Sequence, residues 1–300
     1  MGKGRWPNLA KLVEEGSLTR MKSVLPTISS VAWSTFMTGK NPAKHGIFGF
    51  VDRRPNSYEV FIPTSLNMTS KTLWEILSEK GKQVLVMNVP VTYPPRKVNG
   101  YLVSGFLAPK LEVATYPASL ASRLQNEGYE IDIDPWRARE NLDHLYPDLM
   151  RVFEARTEGF LKLYRERKWD FAIVHIMETD RLYHFMWEHM EGGHPKYSKQ
   201  FMDFFDALDR FIGTVGEEVS DDVTLMVMSD HGFCTLKKEI YLNKFLELLF
   251  KKNTLLSLGR RSKEGSYGVY HLSNDPSDGE NDVCKYADGF CNFKGKFFAV

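Results

Sequence analysis

Cysteine is scarce: Cys234, Cys284 and Cys291 are the only three in 300 residues, and none sits in a C-x-x-C pair. An odd, scattered set supports neither a disulfide framework nor a structural zinc knuckle, and it fits a reduced, cytoplasmic setting. Net charge of one sign is lacking too, because 39 Lys plus Arg stand against 38 Asp plus Glu, +1 overall. No global field therefore recruits nucleic acid or an acidic surface, and an anionic substrate must be drawn in by local charge. Long apolar runs are missing: nothing approaches the roughly 20 residues of a membrane span, and no signal-peptide apolar core follows the opening Met1-Gly2-Lys3-Gly4. The Gly-x-Gly at Gly2 and Gly4 follows no strand and meets Pro7 where a third glycine is needed, which excludes a dinucleotide fingerprint. Repeats, low-complexity tracts and a clear inter-domain linker are absent as well.

What is present suits a sizeable core, with 43% hydrophobic residues. The pattern predicts a single three-layer α/β/α domain over residues 1–300 with a mainly parallel central sheet. Residues 7–15 (PNLAKLVEE) carry Leu9, Leu12 and Val13 at helical spacing, with Pro7 at a permitted first-turn position and Gly16 as a stop. Residues 18–25 alternate loosely like a half-exposed strand, and residues 52–57 read as a polar loop. Residues 83–89 form a near-continuous apolar run, the signature of a parallel strand buried on both faces. Further strands are predicted at 101–105, 169–176 and 223–228, and helices at 70–77, 117–124, 139–168, 197–215 and 240–250. Residues 109–168 are a candidate cap that selects substrate. The last fifty residues predict no definite element.

Chemistry concentrates in residues 26–46, PTISSVAWSTFMTGKNPAKHG. Here Pro26 closes the strand-like run and a helix runs from Ser29 to Met37, ending at Gly39. Ser29 is the candidate nucleophile. In a first helical turn, unpaired N–H groups and the positive dipole end favour an alkoxide or a bound phosphate. An N-cap serine beside a turn is the plain alternative. Further on, Asp180 and His184 stand at i,i+4 in METDRLYH, just past one apolar run, and Asp230 and His231 follow another in SDHGF. Each pair has its own plain reading, a surface i,i+4 contact or a polar turn after a strand. Two candidate ligands at the carboxyl ends of two strands nevertheless fit the rule that α/β sheets bind there. A hydroxyl, two carboxylates and two imidazoles suffice to begin a pair of divalent-metal sites, and the Asp/His mixture favours zinc over calcium, with manganese or iron as alternatives. His175 lies inside a predicted strand and reads as a satisfied core histidine, and His45, in a Pro-x-x-His-Gly turn, as structural.

Taken together, PNLAKLVEEG, PTISSVAW, TGKNPAKHGIFGF, TDRLYH, SDHGF and YLNKFL resemble, in order, the alkaline phosphatase superfamily, in particular its type I phosphodiesterase and nucleotide pyrophosphatase branch. The resemblance implies a metal-dependent hydrolase of small phosphoesters or nucleotides. Ser29 would form a covalent phosphoserine, Asp180 and His184 would hold one metal, and Asp230 and His231 would join Ser29 on the other. The family pattern also includes an opening strand ending in a metal-binding Asp and a further His downstream, for which this chain offers only His271, so the chain reads as a superfamily core incomplete at both ends. A non-catalytic member that keeps the fold and binds metal poorly is the alternative. An Asn that holds a phosphate oxygen in nucleotide pyrophosphatases is matched here by Phe50. Cys-x-Pro-x-Arg is absent around Ser29, which disfavours a sulfatase.

Overall fold

The computed structural model describes residues 4–250 and the short strands Val269–Tyr270, Phe290–Asn292 and Phe298–Ala299. Two compact units divide the chain: residues 1–232 with 287–300, and residues 233–286. The first holds the central sheet.

That sheet grows outward from the run Val84–Val89, whose six residues are all buried. Its neighbours are Gly100–Ser104 on one side and Phe171–Val174 on the other, both parallel to it, with Val84 opposite Phe171 and Gly100. Phe298–Ala299 and then Leu225–Met226 continue the sheet in parallel, and Thr115–Tyr116 closes the opposite edge antiparallel to Gly100–Ser104. The strand between Phe171–Val174 and Leu225–Met226 thus comes from the far end of the chain.

Because side chains alternate across a strand, the two faces of Val84–Val89 belong to two cores. Val84, Val86 and Val89 pack with Trp33, Met37, Ile47 and Trp74, under the helices Ser29–Thr38 and Leu73–Glu79. Met87 faces the other way, where a Cβ placed on Gly159 would lie 3.6 Å from its Cε. The helix Leu145–Arg165 covers that face of the sheet. The helices Glu178–Glu191 and Pro195–Glu218 extend that layer, and Pro7–Glu15 packs on Pro195–Glu218. The expected three-layer α/β/α arrangement with a mainly parallel sheet is the one observed. None of the helices among the described residues is long and apolar enough to cross a membrane.

Local departures have local causes. Of the expected strand 18–25 only Leu18 and Thr19 are in a strand, Ser17–Thr19, which is exposed throughout and, among the described residues, pairs antiparallel with Phe290–Asn292 alone. With one partner strand its alternation buries nothing, and beyond it Ser23 bonds to the backbone near the site instead. The expected helix 139–168 is two helices, Pro135–Glu140 and Leu145–Arg165, because Asn141 is extended (φ −150°) and spends its side chain on the N–H of Asp143. Residues read as loop form the hairpin Asp52–Arg53 with Val60–Phe61. The helix predicted over 240–250 begins at Leu242, after the strand Ile240–Tyr241.

The first helix shows how its start is held. Trp6 at its N-cap offers no side-chain bond, and Asp209 of the helix Pro195–Glu218 supplies it, accepting from the N–H of Leu9 at 2.8 Å and of Asn8 at 3.2 Å. Asp209 is only 4% exposed, so its removal orphans both donors in a place water reaches poorly. Asp209→Ala is expected to cost about 2 kcal/mol, lowering the thermal unfolding midpoint by roughly 4–8 °C in calorimetry. An unchanged midpoint would show that this helix is not anchored through its N-terminus.

Candidate functional site

Three loops meet at the carboxyl edge of the sheet. Ser29 is the first residue of its helix, after an extended Ile28 that provides no side-chain cap. The N–H of Val31 already bonds the Ile28 carbonyl at 2.9 Å, which leaves the N–H groups of Ser29 and Ser30 as the first-turn donors that could face a ligand. The helix runs to Thr38, one residue beyond the expected Met37, and stops at the expected Gly39, which takes the left-handed region at φ 63°. His45 is fully buried and bonds through Nε2 to the Thr35 hydroxyl and through Nδ1 to the N–H of Ile47, which fixes the following turn. Asp230 and His231 follow the strand Leu225–Met226, and the Ser23 hydroxyl donates to the Asp230 carbonyl at 2.6 Å.

The structure brings Ser29, Asp230 and His231 into contact. Ser29 Oγ lies 2.8 Å from His231 Nε2, and Nε2 lies 3.5 Å from Asp230 Oδ2. Nδ1 of His231 is 2.9 Å from the Gly232 carbonyl oxygen. A carbonyl can only accept, so Nδ1 carries the ring proton, and Nε2 presents its lone pair to the Ser29 hydroxyl. Burial pushes the Asp230 carboxyl up, against the pull of His231 and the Ser29 hydroxyl.

Asp180 and His184 lie one helical turn apart on Glu178–Glu191, with Asp180 Oδ1 3.4 Å from His184 Nε2. Asp180 is mostly buried, which works against its charge, but the bond from His184 and the fields of His184, His231 and Arg181 outweigh this and hold its carboxyl below the usual range. The same field reaches the other pair, since Asp180 also acts on Asp230. The two Asp–His pairs therefore share one electrostatic environment, with Ser29 in direct contact with the second.

Among the described residues, no three His, Cys, Asp or Glu side chains converge in an arrangement that could hold a metal ion. The donor chemistry nevertheless suits a divalent cation. Asp230 Oδ2 is buried without a hydrogen-bond partner, and it shares its surroundings with the bare Nε2 and with Ser29 Oγ. Three electron-rich atoms with one hydroxyl proton among them form a place where positive charge is stabilised. His271 lies outside the described residues.

Other polar groups beside the site carry a weaker sequence signal. His175 lies just past the strand Phe171–Val174, 8% exposed, with its ring edge-on to Trp33 at 4.7 Å and its Nδ1 buried without a partner. It is buried as expected, but not satisfied. Behind it, Arg156, Glu178 and Tyr129 form a buried polar group joined to Asn88, which takes φ 65°. Charged residues inside a long amphipathic helix read as its solvated face, so Arg156 escaped the periodicity, and Glu178 was masked by Asp180 two residues on. Phe50 stacks edge-on against Phe106 at 5.4 Å.

A family profile described as type I phosphodiesterase / nucleotide pyrophosphatase matches residues 1–284. The fold is similar to that of phosphonoacetate hydrolase from Sinorhizobium meliloti 1021, in its complex with phosphonoformate (TM-score 0.58) and in its complex with phosphonoacetate (0.57). Each match has 19% identity and covers 82% of this chain and 57% of the other, so this chain spans little more than half the length of that relative. No curated protein matches the chain.

His175 gives the region a measurable acid sensitivity. Burial, ahead of the nearby Arg156 charge, drives its pKa down to about 3, so the folded ring stays neutral where an unfolded one would protonate. Stability from this group is fully present above about pH 6.5 and is lost as pH falls towards about 3, by on the order of 5 kcal/mol at most. In urea titrations, His175→Phe should flatten the loss of stability between those pH values. A variant with the parental slope would place the ring in water.

Proposed function

Because the chain belongs to the type I phosphodiesterase / nucleotide pyrophosphatase family, we propose that it hydrolyses small phosphoesters, diesters or nucleotides, through a covalent phosphoserine at Ser29. The observation that carries this reading is the 2.8 Å contact between Ser29 Oγ and a His231 Nε2 whose tautomer is set by Gly232. The Oγ proton, donated to Nε2 here, is the one that must leave before Oγ attacks phosphorus. Attack forms the Oγ–P bond and expels the alcohol or nucleotide, and water then breaks that bond to release phosphate or a monoester. The N–H groups of Ser29 and Ser30, which have no side-chain cap, would receive charge that develops on the phosphoryl oxygens.

Asp180 and His184 would hold one divalent ion, and Asp230 and His231 with Ser29 a second, zinc by their donor types, with the Nε2 lone pair that meets the Ser29 hydroxyl here given to the ion instead. When bound, such ions lower the pKa of the hydroxyl and neutralise phosphoryl oxygens. Asp230 Oδ2, buried and without a donor, is the atom that most needs such a partner. A second reading, a member that keeps the fold without catalysis and binds metal poorly, is favoured by the absence of a three-ligand cluster among the described residues.

One experiment separates them. Under the first reading, Ser29→Ala should lower kcat/KM on bis(p-nitrophenyl) phosphate by at least about a thousand-fold without shifting the unfolding midpoint. Treatment with 1,10-phenanthroline should remove turnover, and added zinc or manganese should return it. A parental chain that takes up no zinc and turns over neither this diester nor p-nitrophenyl phosphate would establish the second reading.

A further inference from the structure

The helix that carries Asp180 begins without local support. Met177 occupies its N-cap position in helical geometry, φ −65° and ψ −24°, and offers no side-chain cap. An uncapped first turn frays unless tertiary contacts hold it. Such contacts flank Asp180 on both sides. Two residues before it, Glu178 Oε1 accepts from Arg156 Nε at 2.9 Å and lies 2.8 Å from the charged Nη2, both side chains being essentially excluded from solvent. One residue after it, Arg181 donates from Nε to Asp132 Oδ1 at 3.2 Å and from Nη2 to Oδ2.

Both contacts lead to the same short stretch. Arg156 also donates to the Tyr129 hydroxyl at 3.2 Å and to the Ile131 carbonyl at 2.9 Å, and Asp132 is the next residue. We propose that Arg156 and residues 129–132 are positioning elements for Asp180: two ion pairs that flank it fix the first turn of its helix and hence the direction in which its carboxylate is presented. This deepens the reading of Asp180 given under Proposed function and rests on it.

Energetics favour positioning over bulk stability. Attraction within a buried Arg–Glu pair roughly repays the desolvation of its two charges, so the net gain is small while the geometry is narrowly defined. In the Arg181–Asp132 pair, where Nε and Nη2 meet the two carboxylate oxygens, fork-like pairing adds direction that a single contact lacks. A carboxylate displaced by about 1 Å at a reacting centre loses on the order of a hundred-fold in rate, which is the scale on which such support matters. Partners behind a metal-binding or catalytic group have effects of about 10–100-fold when removed.

The test uses the full chain. Glu178→Gln leaves the Arg156 charge uncompensated in the core and is a poor probe, because loss of folding would mimic loss of positioning. Asp132→Asn, in a pair that is partly solvated, avoids this. It is expected to keep the unfolding midpoint within a few degrees and to lower kcat on bis(p-nitrophenyl) phosphate about ten-fold with KM changed less than about two-fold. Zinc affinity, read by competition with a chromogenic chelator, should weaken about ten-fold, and Asp132→Glu should recover most of both losses. Parental zinc affinity and kcat in Asp132→Asn, or losses that merely follow its unfolded fraction, would overturn the proposal. Asp180→Asn tells the two levels apart. If it loses zinc affinity and turnover while Asp132→Asn loses neither, only the positioning role falls; if Asp180→Asn behaves as the parent, the role of Asp180 falls and the positioning role with it.

Discussion

Both faces of the central sheet are covered by helices, and this constraint decides where chemistry can be placed. Val84–Val89 is buried along its whole length, so a charged side chain on such a strand would lie in a medium that cannot solvate it. Polar groups therefore emerge past the strand ends. Asp180 follows Phe171–Val174, and Asp230 follows Leu225–Met226, each beyond the last buried residue of its strand. Ser29 reaches the same edge from the start of a helix whose other residues, Trp33 and Met37 among them, pack beneath the sheet.

Two helix starts in this fold are held at a distance rather than by their own caps. Asp209 serves the helix Pro7–Glu15 across two hundred positions, and Arg156 and Asp132 serve the helix Glu178–Glu191. Thr72 shows the contrast: away from the site, it caps its own helix in a reciprocal box with Glu75. At the helix of Ser29 no side-chain cap is supplied, and only the backbone carbonyl of Ile28 takes a first-turn donor, that of Val31.

Much of this was legible in the sequence, for reasons that can be stated residue by residue. A continuous run such as Val84–Val89 has one stable environment, and its flanking helices follow from their 3.6-residue spacing. Ser29, Asp230 and His231 could be nominated because each sits where an element begins or ends, and those boundaries have strong local signals in Pro26, Gly39 and Gly232. The contact between Ser29 and His231 spans 202 positions, and no local pattern encodes it. Arg156 was illegible for the same reason: its meaning comes from Glu178 and Ile131, neither of which shares its helix. The strand Phe298–Ala299, placed between two strands that precede it by about 75 and 125 residues in the chain, is a matter of topology that periodicity cannot reach.

The central claim is that Ser29 Oγ becomes bonded to phosphorus during turnover. Acid quenching of the zinc-loaded chain during hydrolysis of p-nitrophenyl phosphate, followed by peptide mass spectrometry, reads this directly. The account predicts one phosphoryl group on the peptide that contains Ser29, localised to that residue and discharged when quenching is delayed past substrate exhaustion. A turning-over chain whose Ser29 peptide stays unmodified, or whose phosphoryl group lies on another side chain, would contradict it.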